Sequence, residues 1–375
     1  MSRRYLFLLP LVLLLTLTLS VKQAEAGWPE PDQDKTPLDD DGIICVSELV
    51  WRDRHACPQY GPATTAARIA SIHLPDPLPE LAVVPMEPPQ DDALPLTYAQ
   101  VVQDDVPVYS HPIEALYGLP PQRRLGVGFI WVSIQGKTTY EGRDFYQINK
   151  DEYVLAETLS TYKPSSFQGV ALAQQPERPF AWMLKAARPR LTPQGEFNAD
   201  APMHYRYDLV QIFAAEHRSD QVWYLIAPDQ WVNQTFVAKV TPSPPPPGLP
   251  AGAAWVDINI FEQTLAAYVG DRMVYATLIS SGLPGWDTPP GLFQVWRKVD
   301  MAKMSGAPLK ADYYFLEDVT WAMYFDGAIA THAAYWHNSF GYKHSHGCVN
   351  LAPSDARWLF YWAPEVVWVR VQSGQ

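Results

Sequence analysis

Four consecutive prolines, Pro244–Pro247, lie inside Thr241–Gly252, which reads TPSPPPPGLPAG. Each proline fixes φ and lacks a backbone N–H, so neither a helix nor a central strand can run through them. The segment is instead extended and semi-rigid, at about 3.1 Å per residue. It predicts a domain boundary at 241–252, with few contacts crossing it and residues 253–372 folding as a separate unit.

On both sides of this boundary the chain reads as mainly β. Upstream, short runs such as Val106–Tyr109, Phe129–Ile134, Phe145–Ile148 and Tyr153–Leu155 are separated by turns bearing Gly, Asp and Pro. This spacing over 96–164 resembles the small SH3-like β-barrels that accompany many bacterial cell-wall enzymes. Residues 165–240 repeat the pattern at Leu209–Phe213 and Val222–Ile226, so one or two such barrels are expected. Downstream, strands are expected at Trp255–Ile260, Thr264–Val269 and Met273–Ser280, the last two joined by a Gly270-Asp271 turn. A second hairpin, Trp321–Phe325 with Ala328–His332, is expected to turn at Asp326-Gly327 with both turn residues at positive φ. Pro353-Ser354-Asp355 opens a short helix carrying Trp358, Leu359 and Trp362 on one face, with Ser354 or Asp355 as its cap. Val366–Val371 reads as a final strand.

The start of the chain sets the compartment. Met1-Ser2-Arg3-Arg4 precedes an apolar run from Tyr5 to Val21 that closes at Ala24-Glu25-Ala26, a small-x-small cleavage site. Residues 1–26 thus read as a signal peptide, and the mature chain is expected in the cell envelope or outside it, without a membrane span. Residues 27–95, rich in Pro, Asp and Glu, read as an extension with little periodicity. The net charge of −12 argues against nucleic acid or anionic lipid as partners, because both require basic patches.

There are three cysteines. Outside the cytoplasm Cys45 and Cys57, close in sequence, form the natural disulfide, which leaves Cys348 unpaired. Of the nine histidines, His332, His337, His344 and His346 fall within fifteen residues just ahead of that cysteine. No Cys-x-x-Cys or His-x-x-x-His pair puts two ligands on one turn, so a metal site is disfavoured, and no cofactor is expected.

Nucleophilic catalysis fits better. A thiol with an ordinary pKa of about 8.5 needs a neighbouring base or positive influence to react at neutral pH. In Ser345-His346-Gly347-Cys348-Val349-Asn350 the glycine permits a tight turn and leaves the amides of Gly347 and Cys348 uncovered as oxyanion donors. A base held on a rigid strand is wanted, and His332, sixteen residues before the cysteine, suits this better than the loop histidines.

His332, Gly341 and the run Ser345 to Asn350 together resemble the signature of the L,D-transpeptidase catalytic domain. Ser280-Ser281-Gly282 and Thr288-Pro289-Pro290-Gly291-Leu292-Phe293 resemble two further segments of that family. The resemblance implies a mixed β-sandwich with a short helix after the cysteine. It also implies an acyl-enzyme on Cys348, release of D-alanine, and peptidoglycan stem peptides as donor and acceptor, with carbapenem-type β-lactams as inhibitors. His346, Asn350 and Ser345 would then shape the substrate site, and Tyr335, Trp336 and Tyr342 would line the cleft. One departure is Ala333, where the family often has Gly or Ser after the histidine, so a backbone carbonyl must orient the imidazole. Water or a protein amine as acceptor would make an L,D-carboxypeptidase or an anchoring enzyme. A wall-binding protein without activity is the non-enzyme alternative. A papain-like endopeptidase is excluded by order, because no histidine follows Cys348.

Overall fold

A computed structural model of the chain describes residue 69 and residues 71–87, 94–218, 221–306 and 312–373. The signal-peptide reading, most of the 27–95 extension and the Cys45–Cys57 pairing lie outside the described residues. Among those described, no helix is long and apolar enough to cross a membrane.

The architecture is mainly β, as expected. Fourteen strands belong to one hydrogen-bonded sheet: β1 (Val83–Val84), β2 (Thr97–Val101), β3 (Phe129–Ile134), β4 (Leu159–Thr161), β5 (Val170–Leu172), β6 (Ala254–Asn259), β7 (Thr264–Val269), β8 (Arg272–Ser280), β9 (Gly291–Gln294), β10 (Arg297–Gly306), β11 (Tyr314–Asp326), β12 (Ile329–Ala333), β13 (Val349–Leu351) and β14 (Trp368–Gln372). Their main order is β9-β14-β6-β7-β8-β13-β12-β11-β3-β2-β4, with β10 on β11, and β5 on β8 carrying β1. Three neighbouring pairs are parallel, β6 with β14, β12 with β13 and β11 with β3. The long strand β8 pairs with β7 along most of its length and hands over to β13 at Ile279 and Ser280. The two halves of the sheet enclose one core, in which Val256, Ile258 and Leu265 meet Val319, Met323, Val349 and Leu351.

The proline segment does not isolate residues 253–372. β5 pairs with β8, and β3 lies parallel to the start of β11. The physical reason is visible in β6 to β8, whose residues are apolar on both faces. One parity feeds the core just described, while the other, Trp255, Ala266, Tyr268, Met273 and Leu278, packs against Phe167, Phe180, Trp182 and Val240. Residues 97–161 still enclose a small core of their own around Val132, Ile148 and Val154, and residues 181–240 another around Met183, Ile212 and Tyr224. The linker itself is pinned, with the Ser243 amide donating to Tyr268 Oη at 3.1 Å and Arg370 to the Pro244 carbonyl at 3.3 Å.

Two local expectations are corrected. The β11–β12 turn is centred on Gly327-Ala328, since Asp326 still pairs with Ile329, and only Gly327 has positive φ, at 51°. The helix α1 (Pro353–Trp362) begins with Pro353 in its first turn and has no side-chain cap. Asp355, fully buried, instead accepts from the Gly169 amide at 2.8 Å, Tyr275 Oη at 2.7 Å and Thr277 Oγ1. It thereby ties the helix to β8 and to the upstream chain.

Candidate active site

Parallel pairing of β12 with β13 places His332 opposite Asn350. Cys348 lies in the bend immediately before β13, and its side chain opens on the same cavity as those of His332 and Asn350. Cys348, His332 and Asn350 line one cavity of about 210 Å³, together with Tyr314, Trp336, Ser345 and His346.

His332 is 2 % exposed, and its Nδ1 lies 3.0 Å from the Ala333 carbonyl. A carbonyl only accepts, so Nδ1 carries the ring proton and Nε2 keeps a free lone pair. Burial lowers the imidazole to about 4, with the Ala333 contact opposing. Burial pushes the Cys348 thiol up, countered in part by a hydrogen bond from the Ala330 amide. Both shifts favour an uncharged resting pair. The thiol contacts the Ala328 carbonyl at 3.7 Å, and among the described residues no hydrogen bond joins it to His332. Close fit to Nε2 was expected, and the neutral state of both groups removes the attraction that would hold it at rest.

The loop around Cys348 is held from behind. Gly347 has φ of 113°, a conformation that favours glycine. Its amide donates to Ser345 Oγ at 3.1 Å, and Ser345 Oγ donates to the Cys348 carbonyl. The Gly347 amide is therefore engaged, contrary to the expectation that it stays free, and Ser345 fixes the loop as well as lining the cavity. Thr288 Oγ1 donates to the Gly347 carbonyl at 2.8 Å while accepting from the Gly282 amide at 3.0 Å. The two upstream segments thus meet behind the cysteine, a role for Thr288 that its sequence context does not disclose.

His346 packs edge-on to Trp286 at 4.8 Å and parallel to Tyr314 at 4.9 Å between ring centres. Asn350 and His337 form a buried pair, with Asn350 Nδ2 and His337 Nε2 2.9 Å apart. His337 Nδ1 accepts from the Ser339 amide at 3.0 Å, which puts the proton of a neutral ring on Nε2. The Asn350 amide is then assigned with its oxygen toward that proton and its NH₂ in the buried position that has no protein partner. Tyr314 and Tyr324, which sequence reasoning missed, are phenols held neutral first by burial and then by the proximity of Cys348. Trp336 lines the cavity, but Tyr335 does not, being stacked on Tyr98 at 3.7 Å in the core. Tyr342 is exposed and contacts the Leu184 carbonyl at 3.5 Å instead. Among the described residues no three His, Cys, Asp or Glu converge as metal ligands.

Residues 253–371 match the family profile of the YkuD L,D-transpeptidase catalytic domain. A Bacillus subtilis (strain 168) protein, YciB, named as an L,D-transpeptidase, is 26 % identical over 130 residues, which are 30 % of this chain and 61 % of that one. The chain thus spans about three fifths of the length of this curated relative. Among solved structures, a mutant Enterococcus faecium L,D-transpeptidase is 26 % identical with a TM-score of 0.30, covering 32 % of this chain and 50 % of that one. The transpeptidase LdtMt1 in complex with imipenem is 22 % identical with a TM-score of 0.31, covering 44 % and 90 %. Through residues 253–371 the chain carries the catalytic domain of the L,D-transpeptidases, a family of acyltransferase-type enzymes.

Proposed function

We propose that the chain is an exported peptidoglycan L,D-transpeptidase with Cys348 as nucleophile and His332 as general base. The reading rests above all on the Nδ1–H bond of His332 to Ala333, which leaves Nε2 as a lone-pair base on a residue that lines the same cavity as Cys348. The thiol attacks the carbonyl between the L-centre of a diamino acid residue and D-alanine as Nε2 takes its proton. The C–N bond breaks, the proton passes to the departing amine, and a thioester remains on Cys348. The amine of a second stem peptide then attacks the thioester, forming the cross-link and returning the thiol. With the Gly347 amide engaged by Ser345, the Cys348 amide is the loop donor left for the substrate carbonyl. His346, fixed between Trp286 and Tyr314, shapes the donor side of the cavity.

Mass spectrometry of products from a defined tetrapeptide, with and without an amine acceptor, tests the reaction. Loss of D-alanine with a cross-linked product is expected. Cys348→Ala should abolish both this and the adduct with a carbapenem-type β-lactam. His332→Ala should slow acylation by about 10²–10⁴, the usual contribution of a positioned base. A Cys348→Ala protein that still releases D-alanine would refute the assignment.

A further inference from the structure

The β10–β11 hairpin has two walls. Met304, Tyr314 and Leu316 face the thiol cavity, and the alternate residues Lys303, Phe315 and Glu317 line a separate cleft of about 440 Å³ on the other side. Its opposite wall is formed by Arg123, Asn149, Lys150 and Glu152 of the 97–161 unit. A group bound there is separated from Cys348 by the strand and is not a reactant.

The cleft is built rather than incidental. The β10–β11 register shifts between Ala302 and Met304, so Glu317 and Asp318 together oppose Lys303 in a bulge. Asp318 takes φ of 48°, uncommon for a residue with a side chain. The bulge is clamped by the stacked pair Tyr98 and Tyr335, whose hydroxyls donate to the Asp318 carbonyl at 2.9 Å and the Glu317 carbonyl at 2.6 Å. Ser133 Oγ adds a bond to Asp318 Oδ2 at 2.6 Å. A strained backbone held this firmly points to a functional demand on the side chain it aims.

That side chain is Glu317, 5 % exposed. Its Oε1 lies a long 3.5 Å from Asn149 Nδ2, the Ser133 amide also faces the carboxylate, and its Oε2 is buried without a hydrogen-bond partner. Burial raises its pKa, opposed by the Ser133 amide and by Lys303 and Arg123. The neighbouring Glu152 needs no ligand, because Arg123 binds it through two bonds of 2.6 Å. Lys150 and Lys303, both exposed, make no ion pair among the described residues. The cleft therefore offers one under-satisfied carboxylate and two ammonium groups outside any ion pair, that of Lys303 lying 5.1 Å from the centre of the Phe315 ring.

We infer that this cleft is a second binding site, which takes a free α-amino-acid head group by receiving its ammonium on Glu317 and its carboxylate between Lys150 and Lys303. A simple anion would meet the Glu317 carboxylate, and a simple amine would meet the two lysines. A head group bearing both charges on one carbon satisfies all three residues.

The test is a chemical-shift titration of the full chain with Cys348 alkylated by iodoacetamide, so that the thiol cavity is blocked whatever its activity. D-Alanine is the probe, with N-acetyl-D-alanine and D-alaninamide as carriers of one charge each. Saturable binding of D-alanine is expected, weakened about tenfold or more by loss of either charge from the probe. Glu317→Gln should weaken it similarly, and so should Lys150→Ala, an exposed change that leaves the fold intact. Absence of saturable binding would overturn the inference. Equal binding of all three probes, or binding untouched by both substitutions, would do the same.

Discussion

The uncharged resting pair has a kinetic signature that separates it from a thiolate–imidazolium pair. If His332 is the base with a pKa of about 4, about 90 % of it is neutral at pH 5, against about 3 % for an imidazole at the ordinary 6.5. The single-turnover rate of carbapenem acylation at pH 5 should therefore be close to its neutral value, roughly thirtyfold above what an unperturbed base would give. Alkylation by iodoacetamide needs no base and follows the thiolate, so it should climb only in the alkaline range, above that of an ordinary thiol. Both rates are read by intact-mass spectrometry of quenched samples from pH 4 to 10. Tryptophan fluorescence must accompany them, because His332 and His337 have depressed pKa values, about 4 and about 3. Groups of this kind stabilise the fold fully above their unfolded value, and that stability is lost as pH falls below 6.5 towards the folded values. Asp355, raised to about 6, acts in the opposite sense, its contribution being complete below 3.8 and lost as pH rises through 6. An acylation midpoint near 6.5 in folded protein would refute the neutral pair. So would alkylation that is already maximal below pH 7.

Cutting the chain at Ala251 should yield an insoluble or molten product rather than a folded catalytic unit. Exposing Trp255, Tyr268, Met273 and Leu278 costs roughly 6–12 kcal/mol at about 1.5–3 per side chain, comparable with a whole domain's stability; a truncated chain with a sharp cooperative melt would contradict this. Gly282→Ala places a Cβ 1.9 Å from the Trp286 carbonyl and 2.9 Å from the Thr288 amide. A loss of about 1–3 kcal/mol or more is expected in urea unfolding, with slowed acylation because Thr288 supports the Gly347 carbonyl.

Much of the site was legible because its chemistry is local in sequence. Ser345 to Asn350 is one contiguous run, and His332 stands at the end of a hairpin strand that its apolar residues predict. What sequence could not show is the hydrogen-bond bookkeeping of the loop. Whether the Gly347 amide is free depends on the rotamer of Ser345, and the role of Thr288 depends on a contact 59 residues away. Tyr314 escaped notice because Glu317 and Asp318 interrupt the apolar pattern of β11, so only Trp321–Phe325 was predicted from a strand that runs from Tyr314 to Asp326. The charges that hid the strand are those that form the bulge behind the thiol cavity.

The upstream segments show the converse limit. Their strands were placed well, Phe129–Ile134 with the same ends and Val222–Ile226 within Gln221–Ala227. Their partners are not legible there, because a proline run reads as a separator where it here only punctuates the chain. A signal against separation was present in the sequence: Thr264–Ser280 is apolar at both parities, a pattern of strands covered on two faces rather than one. An isolated 253–372 unit has a helix and a second half-sheet to cover the inner face, but for Trp255 and Tyr268, stacked 4.1 Å apart on the outer one, it has only part of a cluster that upstream residues complete. Covering that face needs Phe180, Trp182 and Val240, and the polyproline run is extended enough to lead from Val240 into β6 while its own backbone stays pinned to Tyr268 and Arg370. The prolines therefore bring the upstream unit onto the sheet that carries His332 and Asn350, and the outer face of that sheet is completed by residues that precede them.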